Sequence, residues 1–261
     1  MTELRLAPVY EETRDRIVAL VRHPATGTSA RVAETVVPAC PGWRVRDVIA
    51  HVTGIYADIV GGNLQGGATD EWTAAQVESR RHLTIDALLA ESDDAGPKLA
   101  TMIDDFPGRY GQQVVADLAV HEQDIRGALG GPGARDSAAV RLCLEFLIGA
   151  VVHPGATALG LGPLELRAGH RSWVVGTGDP GDGEPERAIA AAIAAPCPPR
   201  PSASLVPTGR VVADPFELFR ALTGRRSAAQ IRRFEWDVDP EPYLPLFDQW
   251  PFRLRSADLP E

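Results

Sequence analysis

Three side chains in the first half of this sequence have the types and spacing to hold a divalent metal. Asp117 and His121 stand four residues apart in "ADLAVHEQDIRGALG". On a helix that spacing puts both on one face, with their Cβ atoms about 5–6 Å apart. His51 lies in a separate helical pattern, "VRDVIAHVTGIYADIVGG". Two imidazoles and one carboxylate are the usual protein share of a catalytic divalent site, with a position left for water or substrate. A plainer arrangement stands beside it, in which Asp117 and His121 hydrogen-bond each other and hold nothing. In either case an imidazole and a carboxylate set in an apolar seam need a partner, because unpaired burial is costly.

The elements that must position these groups follow from the hydrophobic period. At about 100° per residue, Val45, Val48, Ile49, Val52, Ile55, Tyr56 and Ile59 form a broad apolar arc that stops at Gly61-Gly62. His51 falls just outside one edge of that arc, with Asp47 and Asp58 on the same side. In the helix expected over 114–129, Val114, Leu118, Ile125, Ala128 and Leu129 make the apolar face. His121 falls inside it, Asp117 at its margin and Asp124 near the same edge. Gly130-Gly131-Pro132 closes this helix.

Further helices are expected over "PVYEETRDRIVALVRH", over the more polar "TAAQVESRRHLTIDALLAES", in a short piece at "PKLATMIDDF", and over the strongly apolar "DSAAVRLCLEFLIGAVVH". Short connections between them imply an antiparallel bundle. The pattern changes after His153-Pro154-Gly155. "LELRAGHRSWVVGTGD" reads as two strands around Gly169, "PERAIAAAIAA" as a helix, "CPPRPS" as a breaker and "SASLVPTGRVVAD" as strand. "DPFELFRALTG" is a helix with Asp214 as N-cap and Pro215 at N1, and Ser227 caps another. The tail from Pro240 reads as loop. The expected organisation is a helical bundle carrying the metal site over 1–157 and an α+β domain over 158–261.

Composition narrows the partners. The chain has 261 residues and a net charge of −9, which argues against nucleic acid or an anionic membrane as the main partner. No run of 18 apolar residues suggests a membrane span. The first residues lack a basic segment followed by an apolar one, so a cytoplasmic protein is expected. The three cysteines, Cys40, Cys143 and Cys197, are far apart and form no CxxC pair, so neither a disulfide framework nor a zinc knuckle is indicated. Lys98 is the single lysine among 26 basic residues. With abundant Ala, Gly and Pro, that bias hints at a GC-rich genome. Cys40 sits near a helix start, where a reactive thiol is conceivable, but its turn accounts for it as a small apolar side chain.

"VPACPGWRVRDVIAHVTG" resembles the N-terminal signature of the mycothiol-dependent maleylpyruvate isomerase family, within the wider DinB/YfiT-like group of metalloenzymes. Cys40-Pro41-Gly42-Trp43, Val45, Asp47 and His51 carry the match. "DLAVHEQDIRGALG" resembles a second family stretch at His121, Asp124, Ala128, Leu129 and Gly130. "DPFELFRALTGRRSAAQI" resembles the family's C-terminal, sterol-carrier-like domain. The resemblance implies a DinB-like four-helix bundle followed by a smaller α+β domain. It implies His51, Asp117 and His121 as ligands of a divalent metal, zinc by preference, and mycothiol as thiol cofactor or co-substrate. The implied chemistry is thiol addition to a small electrophile such as maleylpyruvate, ending in isomerisation or S-transfer. It also implies that Arg81, and Arg225 or Arg226, face the cleft and grip carboxylates.

Two departures bear on this. Asp117 stands where the family often has Glu, one methylene longer. Arg44 stands where relatives often have Thr or Ser, which would cap the following helix. A monomer or homodimer acting on small molecules, with no nucleic-acid or membrane partner, is expected. Two other functions fit the same residues: a non-catalytic small-molecule or lipid-binding protein, and a hydrolase using metal-bound water.

Overall fold

The computed structural model describes residues 5–22, 29–179, 183–195 and 205–261; the "CPPRPS" breaker and Cys197 lie outside these residues. It is helix-rich with one small four-stranded sheet. The chain divides into two compact units. One runs through Phe106 and takes in Asp117–Ala134; the other comprises Pro107–Ala116 and Arg135–Pro260.

The first unit contains α1 (Leu6–Arg22), α2 (Ser29–Ala33), α3 (Val45–Gly61), α4 (Asp70–Arg80), α5 (Ile85–Ala100) and the larger part of α6 (Tyr110–Leu129). α3 packs on α5, α4 and α2. That explains why it is buried without interruption from Val48 to Tyr56, beyond the single stripe of a surface helix. Its entry solves the Arg44 departure. The Arg44 side chain makes no cap hydrogen bond; the Asp47 carboxylate reaches back to accept from the Arg44 backbone N–H at 2.8 Å. A carboxylate in the first turn also complements the helix dipole. The exit is as expected, with Gly62 left-handed at φ 74°.

The single polar helix expected over 73–92 is two helices. α4 stops at Arg80, and Thr84 starts α5 by accepting from the Ala87 N–H at 3.2 Å. The intervening Arg81-His82 is exposed and offers no apolar face to carry a helix onward, while Thr84 supplies a ready cap. The short helix expected from Pro97 is instead the end of α5, followed by a 3₁₀ turn at Ile103–Asp105. α6 is tied to α1 by charge. Glu122, fully buried, accepts from Arg16 at 2.8 Å through each of its oxygens and from Arg126 at 2.9 and 3.0 Å.

In the second unit, α7 (Ala138–Leu147), a π-helical turn (Ile148–Val152) and α8 (His153–Ala158) form one helical run. It is followed by β1 (Leu164–Ala168), β2 (Arg171–Val175), α9 (Pro185–Ala194), β3 (Gly209–Ala213), α10 (Pro215–Leu222), α11 (Ala228–Ile231) and β4 (Glu235–Trp236). The sheet order is β2-β1-β3-β4. β1 pairs antiparallel with β2 around Gly169 and parallel with β3, placing Leu166 opposite Trp173 and Val211. The run Ala138–Ala158 has the length and apolarity to cross a membrane, yet 67% of its 18-residue apolar window is buried inside the protein. α9, α10 and β2 cover it. This packing groups the run with the sheet in the second unit, which takes up the chain again at Arg135. Asp214 caps α10 as expected, accepting from Phe216 and Glu217 N–H groups at 2.9 and 3.3 Å. The tail is not loop throughout: Glu241–Phe247 is a 3₁₀ segment that buries Leu244, Leu246 and Phe247.

Two ion-pair tests follow. Glu122→Ala strands two partly buried arginines and is expected to destabilise the first unit by about 3–5 kcal/mol, read by denaturant unfolding; an unchanged midpoint would refute the clamp. Glu217 meets a two-pronged fork from buried Arg226 at 2.6 and 2.9 Å, which holds its carboxyl below its ordinary value of 4.5. A depressed carboxyl stabilises the fold above its unfolded pKa and loses that contribution as pH falls through its folded pKa. Glu217→Gln should therefore lower Tm at pH 7, by about 1 kcal/mol of stability given its partial exposure, and the gap to wild type should narrow progressively as pH falls below the ordinary carboxyl value of 4.5. A gap that stays constant with pH would refute the assignment.

Candidate metal centre

α3 and α6 bring the three expected ligands together. His51 Nε2 lies 3.6 Å from Asp117 Oδ2, and His121 Nε2 lies 3.7 Å from Asp117 Oδ1. One ligand atom from each of the three falls within 4.8 Å of the others. These separations exceed hydrogen-bond length, so the direct Asp117–His121 hydrogen bond does not form. They are close to the spacing of about 3.3–3.5 Å expected between two ligands each roughly 2.0–2.1 Å from one tetrahedral ion. The shorter Asp117 thus reaches both imidazoles by turning one oxygen to each. Both histidines are buried, at 5% and 7% exposure, whereas the Asp117 side chain keeps 33%. His51, at the border of the apolar arc in sequence, is inside because α4 covers that border.

Each imidazole has its other nitrogen engaged. His121 Nδ1 is 3.2 Å from Asp124 Oδ2, and His51 Nδ1 is 2.8 Å from Gln76 Oε1. With a carboxylate as acceptor, a neutral His121 would hold its proton on Nδ1 and leave the Nε2 lone pair on the side of Asp117. Asp124 is fully buried, and the same oxygen accepts from the Cys40 thiol at 3.2 Å. Cys40, His121 and Asp124 meet the same distance criterion for a metal group as the first trio, but in this trio the contacts are hydrogen bonds. Cys40 acts there as a donor that steadies Asp124.

The turn before α3 completes the arrangement. Gly42 is left-handed at φ 85°, and the Cys40 and Trp43 N–H groups donate to the carbonyls of Val37 and Cys40, each at 3.0 Å. Trp43 stacks on His121 with ring centroids 6.2 Å apart and meets His51 edge-on at 5.4 Å. The two imidazoles are themselves edge-to-face at 5.1 Å. Behind them Tyr56 is fully buried beside Tyr10, and burial pushes both phenols well above their ordinary value.

The expected arginines each have partners within their own unit. The Arg81 side chain is 71% exposed and pairs with Glu78 at 3.0 Å. Its neighbour Arg80 is the one turned inward, bonded to Glu91 at 2.7 Å. Arg225 and Arg226 belong to the second unit. Arg225 donates to the Thr223 carbonyl at 2.6 Å, and Arg226 is committed to Glu217. The sequence reading missed Gln76, since one glutamine in a polar helix gives no signal. It read Trp43 as packing the turn and not as the plate beneath both imidazoles.

Residues 11–126 match the family model of the mycothiol maleylpyruvate isomerase N-terminal domain. Among solved structures, the chain is similar to one described as the crystal structure of the mycothiol-dependent maleylpyruvate isomerase. The two share 16% identity over 92% of this chain and 96% of that one, with a TM-score of 0.53. At that identity the likeness is one of fold. No curated protein matches.

Gly42 offers a test of the turn. A Cβ at this position would meet no atom within 4 Å, so the effect of Gly42→Ala is confined to its left-handed backbone. It should cost about 1–2 kcal/mol, measured by thermal unfolding. An unchanged Tm would show that the turn does not require this conformation.

Proposed function

Residues 11–126 belong to the mycothiol maleylpyruvate isomerase N-terminal domain family, and on that premise we propose that this protein is a divalent-metal enzyme acting with a low-molecular-weight thiol, mycothiol by family, on a small electrophile such as maleylpyruvate. The observation that carries the reading is the convergence of His51 Nε2, His121 Nε2 and the Asp117 carboxylate. The donor set fits zinc: two neutral imidazoles and one carboxylate leave a coordination position for an outside ligand. When bound, such an ion would lower the pKa of a coordinated thiol so that thiolate forms near neutral pH.

The residues of the chain supply the rest. Asp124 and Gln76 hold the Nδ1 side of each histidine, so neither ring has to reorient on binding. Trp43 covers the imidazoles and keeps water from that side. Asp117, the most exposed of the three, lies on the side from which small molecules enter. Arg81 and Arg225 are the proposed carboxylate-binding arginines. The pairing of Arg81 with Glu78 is an exposed contact worth little and can yield to a substrate carboxylate. The finer architecture proposed with this function is a DinB-like four-helix bundle and a sterol-carrier-like second domain, in a cytoplasmic monomer or homodimer. Isomerase and S-transferase outcomes share these residues and differ in whether the thiol leaves the product.

The experiment is metal analysis followed by thiol titration. Wild type should hold about one equivalent of zinc and His121→Ala should lose it. Calorimetric titration of zinc-loaded protein with mycothiol should give heat, and turnover of maleylpyruvate should need both. Equal metal in wild type and variant would sink the metal assignment; metal without thiol heat would leave the hydrolase reading.

A further inference from the structure

We propose that Gln76 is a positioning residue that fixes the tautomer of His51 through a one-way relay from Asp58, so that Nε2 is presented for ligation before any metal arrives. This rests on the reading of His51, Asp117 and His121 as metal ligands, and it adds what makes His51 one.

The relay follows from donor and acceptor roles. The Asp58 carboxylate is held at the end of α3, where Asn63 Nδ2 donates to its Oδ1 at 2.9 Å. Its Oδ2 is 2.8 Å from Gln76 Nε2. A carboxylate accepts and does not donate, so the amide must point its NH₂ at Asp58. Its oxygen then faces His51 Nδ1 at 2.8 Å and can only accept. His51 Nδ1 must therefore carry a proton, and in the neutral ring the lone pair then lies on Nε2, the atom that faces Asp117. Gln76 is 2% exposed, and a buried amide in contact with water on neither side needs both ends bonded. The flipped amide would oppose oxygen to oxygen at Asp58 and leave that requirement unmet.

A second observation shows that the approach of α4 is built in. Gly54 lies one turn beyond His51 on α3, and a Cβ there would sit 2.6 Å from Gln76 Cβ and 2.7 Å from its Cγ. Only glycine lets the Gln76 stem lie against α3 and place its amide at His51. The two histidines consequently differ. His121 is backed by a carboxylate, which makes it the more electron-rich donor, and His51 by a neutral amide.

The test uses the full chain. Long-range ¹⁵N–¹H correlation spectra of the metal-free protein read the His51 tautomer directly, and competition with a chromogenic chelator reads zinc affinity. Wild type should show His51 protonated at Nδ1. Gln76→Leu should show a tautomer mixture and bind zinc about 10–100-fold more weakly. Gly54→Ala, which alters no polar group, should reproduce both effects. Combining Gln76→Glu with Asp58→Asn keeps an acceptor at His51 and a donor at position 58, and should restore the Nδ1 tautomer and most of the affinity. It also decides the matter should Gln76→Leu not fold. A wild-type tautomer and affinity in folded Gln76→Leu, or no restoration by the exchanged pair, would overturn the relay. If wild type binds no zinc at all, the metal reading fails, and the tautomer spectra still decide the role of Gln76.

Discussion

Two imidazoles and a carboxylate meet between α3 and α6, and the residues around them are arranged to satisfy them. Polar groups at this depth are tolerated only when every donor and acceptor has somewhere to go. Asp124 and Gln76 meet that demand on one side of the rings, and Asp117 faces the other. This constraint explains features that would otherwise look unrelated: a fully buried aspartate on α6, a buried glutamine on a mostly polar α4, and a glycine in the middle of α3.

The turn ahead of α3 serves the same end by two routes. Gly42 reverses the chain so that Trp43 lies against both imidazoles, and Cys40 donates its thiol proton to the oxygen that holds His121. A cysteine that reads as a nucleophile candidate is thereby accounted for as a support of the carboxylate behind His121. Charge then fixes the helix that carries Asp117 and His121. Glu122, the residue after His121, locks α6 to α1 through Arg16, while Arg126 on α6 itself shares the carboxylate.

The second unit depends on burial more than on charge. Its helical run from Ala138 to Ala158 is apolar enough to resemble a membrane span, and that apolarity is absorbed by α9, α10 and the sheet. One ion pair, Glu217 with Arg226, joins α10 to the segment that leads into α11.

Much of this was determined by the sequence alone. Local rules suffice for α3 and its Gly62 end, for α6 with Asp117 and His121 on one face, for the hairpin at Gly169 and for the Asp214 cap, because each depends on neighbours a few residues apart. The candidate trio was legible because the spacing of Asp117 and His121 on α6 is local and the resemblance supplied His51. Tertiary structure decided the rest. The break at Arg81–Thr84, the grouping of Ala138–Ala158 with the sheet and the inward position of His51 depend on which element covers which, and hydrophobic period does not encode that. Gln76 is the clearest case. Nothing within reach along the chain marks it, since its partners His51 and Asp58 lie 25 and 18 residues away. Its role exists only because Gly54 lets two helices come close enough for an amide to fix which nitrogen of an imidazole holds the proton.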